Sequence, residues 1–256
     1  MNDATSAPRP TGSETMELLS QRVSVRRYRD EIPTRETIDA VLRAAFRAPT
    51  SSNIQAYSVV EVRDPETKQA LSVPTANQRH VAECPVFLAF CADLTRMELA
   101  LARHGHSIEN NNLEMGLVSS IDAALVGMSV YLAAESVGLK GVMIGAVRND
   151  PEAVAGILGL PPRVYCVFGM CLGYPDEAPP QKPRMDFDLV VHRERYDASK
   201  LESGVEDYDR ALAEHYRGDG RAAEDAAWTH GIDERFSRRP RDTLRASLAR
   251  MGFDFA

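Results

Sequence analysis

The chain has 256 residues, 44% of them hydrophobic and 26% charged, and a formal net charge of −7. That length suits one large domain or two small ones, and the balance is that of an ordinary globular protein. The acidic excess argues against broad non-specific nucleic-acid binding, while leaving room for a local basic pocket.

Residues 1–15 contain no apolar core of the kind a secretory leader needs, so they are expected to form a disordered tail. One domain is expected over 16–256, with a helical extension from about residue 192. Met16–Ser20 suit a short helix, followed by the basic, alternating segment QRVSVRRYRDEIP. Thr34 suits the N-cap of a helix running to about Arg47, whose buried face is Ile38, Val41, Leu42, Ala45 and Phe46. Pro49 cannot continue it. Tyr57 to Arg63 reads as a strand, and DPETK as a turn or helix start.

CPVFLAFCAD, Cys84 to Asp93, is an unbroken apolar run, as in a strand covered on both faces. A long helix is expected from about Asn112 to Val137, apolar almost all round from Ile121 onward. That places it in the core or at a subunit interface. Asp122 and Glu135 make it a poor membrane span. Val142 to Val147 reads as a short strand or turn, and Asp150–Pro151 as the start of a helix that stops at Gly159. VYCVFGMCLGYP is another buried strand. A proline-rich loop with Lys182 and Arg184 follows, then an amphipathic helix marked by Leu201, Val205, Tyr208, Leu212 and His215. The link HYRGDGRAAED and a last helix within RPRDTLRASLARMGF complete the chain. The pattern is a layered α+β, or mixed α/β, domain. Cys84, Cys91, Cys166 and Cys171 form no C-x-x-C pair and read as buried thiols of a cytoplasmic protein. His104 and His106 stand two apart with no third ligand evident, so no metal site is expected.

Three polar clusters invite a ligand. Arg22, Ser24 and Arg26, with Arg27 beside them, alternate; if extended, they point the same way, as a phosphate monoester requires. A solvated basic turn is the competing reading. Thr50, Ser51, Ser52 and Asn53 gather hydroxyl and amide groups where a helix hands over to a strand. They suit either a planar heteroaromatic ligand or simple capping. Lys182 and Arg184 flank Pro183 and could converge on developing negative charge or serve as surface ion pairs.

Taken in order, RVSVRRY, PTSSNIQ, NQRHVAECPVFLAFCADLTR, AAESVGLKGVMIGAVRNDPEAV, VFGMCLGYP and KPR resemble the nitroreductase family. The likeness is to its NADPH-preferring group of oxygen-insensitive nitroreductases and flavin reductases, over about Leu18 to Tyr216. The resemblance implies a central mixed sheet flanked by helices and a long buried helix at a homodimer interface. It also implies two FMN sites that draw residues from both subunits. By position, Arg22, Ser24 and Arg26 would hold the FMN phosphate. Thr50, Ser51 and Ser52 would line the ribityl chain and one flavin edge, with Gln78 at the ring. Met143, Ile144, Gly145 and Ala146 would pass their backbone near the isoalloxazine. Lys182 and Arg184 would serve the pyrimidine side or the phosphate end. Arg221 is the candidate for the NADPH 2′-phosphate, ahead of Arg235, Arg238 and Arg239. Two positions depart from the pattern: Val23 stands where an arginine is usual, and Ala146 where a second glycine is common.

The implied reaction is two-electron transfer from NADPH to nitroaromatics, quinones or related small acceptors in a ping-pong sequence, with no protein acid or base named. A flavin reductase feeding a partner monooxygenase is the neighbouring alternative. A flavin-binding store or sensor is the alternative from another class.

Overall fold

The computed structural model describes residues 12–108, 113–217, 227–238 and 241–255. A short helix α1 (Glu14–Ser20), capped by Ser13, starts two residues inside the stretch anticipated as tail. The segment after it, residues 22–27, is neither helix nor strand. Thr34 caps α2 (Arg35–Ala45) through the Thr37 N–H, and Ile38, Val41 and Ala45 are its buried residues. After a 3₁₀ turn at Ser51–Asn53 comes β1 (Tyr57–Val62). Asp64 and Pro65 supply the cap and first turn of α3 (Pro65–Ser72), so DPETK is a helix start. A single-turn helix, α4 (Arg79–Glu83), leads to β2 (Val86–Asp93).

All eight residues of β2 are buried, because it is a central strand with layers on both sides. Helix α5 (Thr95–Ala102) and the long α6 (Leu113–Ser136) follow. Next are β3 (Lys140–Ile144), α7 (Pro151–Leu158) and β4 (Val164–Gly173). The first-turn Pro151 and the left-handed stop at Gly159, φ 63°, bound α7 as its sequence dictates.

The sheet order among the described residues is β1-β2-β4-β3, and every pair is antiparallel. The mixed sheet anticipated from the sequence is therefore antiparallel here; β2, β4 and β3 lie far apart in sequence, so strand direction depends on how the helical crossovers return, which periodicity does not encode. Helix α6 packs Ala123, Val126, Val130, Tyr131 and Ala134 against one sheet face, with Ile38, Val41 and Ala45 of α2 in the same core. The opposite face buries Phe87, Ala89, Cys91, Val142, Val154 and Cys166. All four cysteines are buried. Among the described residues nothing covers the other side of α6: Leu113, Leu117, Ile121, Leu125 and Met128 are exposed at three- and four-residue spacing. By length and composition α6 could cross a membrane, but 44% of its most apolar window is buried inside the protein.

The chain divides into two compact units, residues 1–179 with 243–256, and 180–242. In the first unit, α11 (Leu244–Arg250) closes a third core cluster in which Phe253 meets Tyr165 edge-on, ring centroids 4.7 Å apart. Phe255 lies so close to Gly116 of α6 that an added Cβ would overlap its ring. The second unit contains α8 (Phe187–Val190), α9 (Leu201–Arg217) and α10 (Trp228–Phe236). The last helix expected from the sequence thus belongs to the first unit, apart from its neighbours in the chain.

Candidate functional site

Residues 22–26 pass beside β3. The Val25 N–H donates to the Gly141 carbonyl at 3.0 Å, and the Val25 side chain is buried. Arg22 and Ser24 come together beside it: the Arg22 guanidinium reaches the Ser24 hydroxyl at 3.4 Å. The same guanidinium lies over the ring of Tyr131, 5.6 Å from its centroid.

Arg26 and Arg27 are held from behind. Their backbone N–H groups both donate to one carboxylate oxygen of Glu177, at 2.6 and 3.2 Å, and the Arg27 guanidinium reaches the other oxygen at 3.2 Å. Burial alone would raise the Glu177 carboxyl, but the two N–H bonds and the Arg27 charge outweigh it and hold it below the ordinary carboxylate range. His80 is depressed below its usual value, first by burial and then by the Arg26 charge. A cationic segment of this kind is suited to a di-anionic group.

The hydroxyl-rich handover is a strained turn. Ser52, Asn53 and Gln55 adopt φ of 48°, 55° and 54°, a region that non-glycine residues enter at a cost of roughly 1 kcal/mol or more each. What holds it is Asp122, fully buried on α6, which accepts the Ser51 N–H at 2.9 Å and the Ala56 N–H at 3.0 Å. With the turn pinned through its backbone, the hydroxyls of Thr50, Ser51 and Ser52 make no hydrogen bond among the described residues. A cavity of about 370 Å³ opens beside them, lined in part by Arg47, Pro49, Thr50, Asn53 and Gln55.

Gln78 stands at the N-cap of α4, and its Oε1 is buried without a hydrogen-bond partner among the described residues. Such an orphan acceptor costs about 1–3 kcal/mol unless a ligand N–H or water satisfies it. On β3, Met143 is exposed while Ile144 is buried, and a 3₁₀ turn at Gly145–Arg148 follows. Arg148 packs under Gly145, where an added Cβ would meet its guanidinium at 3.4 Å, and donates to the Val167 carbonyl. Ala146 packs partly against the core, so this stretch offers a ligand mainly its backbone and the Met143 side chain.

Asp122 and Tyr131 are nine residues apart on one helix, so the hydroxyl turn and the arginine segment are anchored roughly 14 Å from each other along α6. The first unit therefore gathers Arg22, Ser24, Arg26 and β3 closely, and sets Thr50–Ser52 apart.

In the second unit, the Lys182 ammonium lies 5.0 Å from the Tyr216 ring centroid. The Pro183 carbonyl accepts from both Arg184, at 3.2 Å, and the Tyr208 hydroxyl, at 3.3 Å, which pins the KPR segment to α9. Arg184 also borders an apolar cavity of about 440 Å³ with Met185, Phe187, Tyr208 and Trp228. Trp228 meets Tyr208 edge-on at 6.0 Å, anchoring α10 to α9. Arg235 and Arg238 are exposed, and Arg221 and Arg239 lie outside the described residues.

Sequence reasoning passed over Asp122, Tyr131 and Glu177 as site residues. Asp122 did carry a signal, a lone carboxylate in an apolar helix, which must find donors if buried. Glu177 carried none, because its partners, two backbone N–H groups and the Arg27 guanidinium, lie some 150 residues away.

The chain matches the nitroreductase family model over residues 19–174 and the model for the family's C-terminal domain over 182–256. It is similar to an FMN reductase (NADPH) of Bacillus subtilis, 34% identical over 246 residues, covering 94% of this chain and 99% of that protein. The oxygen-insensitive NADPH nitroreductase of Salmonella typhimurium is 34% identical over 248 residues, with 94% and 98% covered. Among solved structures, NADPH:FMN oxidoreductase from Vibrio harveyi complexed with NAD+ superposes with a TM-score of 0.84 at 30% identity, covering 93% of this chain and 97% of that one.

Proposed function

This chain belongs to the nitroreductase family, and we propose that it takes two electrons from NADPH and passes them to nitroaromatic, quinone or related small acceptors in a ping-pong sequence. It is an NADPH-dependent FMN oxidoreductase. The observation that carries the reading is the cationic segment Arg22–Ser24–Arg26, hydrogen-bonded at Val25 to the strand that runs into Met143–Ala146. Groups suited to a phosphate and backbone suited to a planar ring are thereby neighbours.

The residues fit FMN: a donor set for a phosphate, unengaged hydroxyls for a polyol, and an orphaned buried acceptor at Gln78 for a ring N–H. FMN, when bound, supplies the hydride and electron chemistry. The chain's part is to bind and orient. Arg22, Ser24 and Arg26 hold the phosphate. Thr50, Ser51 and Ser52 line the ribityl chain, Gln78 meets the ring, and Met143, Ile144, Gly145 and Ala146 border it. Lys182 and Arg184 add positive charge that stabilises electron-rich states. Arg221 takes the NADPH 2′-phosphate. Protons come from water.

The uncovered stripe Leu113, Leu117, Ile121, Leu125 and Met128 supports a homodimer packed through α6. Such pairing would bring the hydroxyl turn of one subunit toward the arginine segment of the other. The buried cysteines suit a cytoplasmic protein.

The test is an anaerobic visible spectrum of the purified protein, recorded before NADPH, after it, and after a nitroaromatic. Flavin bands that bleach and then return are expected. A colourless protein that takes up no added FMN would overturn the reading, and a yellow one that NADPH cannot bleach would favour a store or sensor. The similarity to an FMN reductase (NADPH) favours one second reading, supply of reduced free flavin. Faster turnover with free FMN than with nitroaromatics would select it.

A further inference from the structure

The cationic segment has a scaffold of its own. The Tyr131 hydroxyl donates to the Val23 carbonyl at 2.7 Å and lies 3.2 Å from the Gly141 carbonyl, so it joins the segment to β3. Two residues on, the Tyr28 hydroxyl donates to the Val25 carbonyl at 2.7 Å, close to the Cys171 carbonyl at 3.3 Å. The carbonyls of residues 23 and 25 thus both end on tyrosine hydroxyls, which fixes the path of the segment that carries residues 22, 24 and 26. Tyr131 does more than Tyr28, because its ring also carries the Arg22 guanidinium at 5.6 Å. A cation–π contact of this kind is worth about 0.5–2 kcal/mol and restricts where the fork can point.

The chain needs such a device for a reason visible in its own sequence. Val23 brings no charge, so of the three residues 22–24 the cation falls to Arg22, a long side chain that must be aimed. We infer that Tyr131 is a positioning residue for phosphate recognition: its hydroxyl tethers Val23 and its ring orients Arg22 toward the phosphate end of the flavin.

This rests on the proposed FMN site. Beneath Tyr131 lies Glu135, 5% exposed and paired with Lys140 at 3.1 Å. Burial first, and then the Glu135 carboxylate, push the phenol up to about 12, against the opposing pull of Arg22. The hydroxyl therefore stays a neutral donor throughout the physiological range, and the tether does not titrate.

The test compares binding of FMN and riboflavin, which differ only in the phosphate, by quenching of flavin fluorescence with apoprotein. In Tyr131→Phe the Kd for FMN should rise about fivefold, the worth of one hydrogen bond, while that for riboflavin stays within about twofold. Tyr131→Leu removes the ring as well and should raise the FMN Kd at least about tenfold. Arg22→Met should add little in the Tyr131→Leu background, because its guanidinium is already misdirected. Equal losses for both flavins, or an unchanged FMN Kd in both variants, would overturn the inference. Wild-type protein that binds FMN no better than riboflavin would instead overturn the phosphate site itself. Thermal unfolding of each variant separates lost folding from lost aim, since a general loosening cannot change the FMN-to-riboflavin ratio.

Discussion

Asp122 of the long helix accepts the backbone N–H of Ser51 at 2.9 Å, and with its other oxygen that of Ala56 at 3.0 Å. One fully buried carboxylate therefore closes the strained turn from both sides, and among the described residues the hydroxyls of Thr50, Ser51 and Ser52 make no hydrogen bond. Asp122→Ala would strand two donors and open a cavity. A loss of about 2–4 kcal/mol in urea unfolding is expected, with weaker binding of both FMN and riboflavin. Asp122→Asn should recover part of each. Unchanged flavin affinity in a destabilised Asp122→Ala would mean that the turn does not touch the ligand.

Arg26→Ala should weaken FMN binding by about tenfold or more, the range for a hydrogen bond to a charged group, and leave riboflavin nearly unaffected. Isothermal titration with both flavins checks this. An unchanged FMN affinity would remove Arg26 from the site.

Glu177 gives an acid-side dependence whose sign follows from its depressed carboxyl. A carboxyl lower in the folded than in the unfolded chain stabilises fully above the ordinary carboxylate range, and that contribution fades as pH falls through the folded value. Stability and FMN affinity should thus decline together below about pH 4.3, the reference value for glutamate. Glu177→Gln should cost about 1 kcal/mol at neutral pH and flatten the acid limb of the unfolding midpoint against pH. A variant with the same acid limb as wild type would show that other carboxylates govern it.

The apolar stripe on α6 makes a prediction about assembly. Ile121→Glu and Leu125→Glu place charge on a surface that is exposed in the single chain, so the isolated fold should tolerate them. Sedimentation should shift from dimer to monomer, with loss of bound flavin if each site needs both subunits. Variants that remain dimeric and yellow would locate the subunit contact elsewhere.

Arg221→Ala should raise KM for NADPH by about tenfold while leaving KM for NADH nearly constant, because only NADPH presents the 2′-phosphate. Steady-state kinetics with both nucleotides decide it; equal effects would reject the assignment.

Local chemistry in the sequence determined most elements. Thr34, Asp64 and Asp150 cap the helices they precede, Gly159 ends one, and the apolar runs at 86–92 and 164–173 lie in strands. These signals act over a few residues, through capping geometry and side-chain periodicity, so they can be read without the fold. The contact of Arg22 with Ser24 falls within the segment that the sequence marks by alternation. Tertiary structure decided the rest. It made the sheet antiparallel, covered only one side of α6, and sent α11 to the first unit. It also brought Asp122 to Ser51, Glu177 to Arg26 and Tyr131 to Val23. Each of those bonds joins a side chain to a distant backbone group, and a backbone N–H or carbonyl is the same in every residue but proline. No pattern of side chains along the chain marks which one will be met; only the packing of helix on sheet selects it.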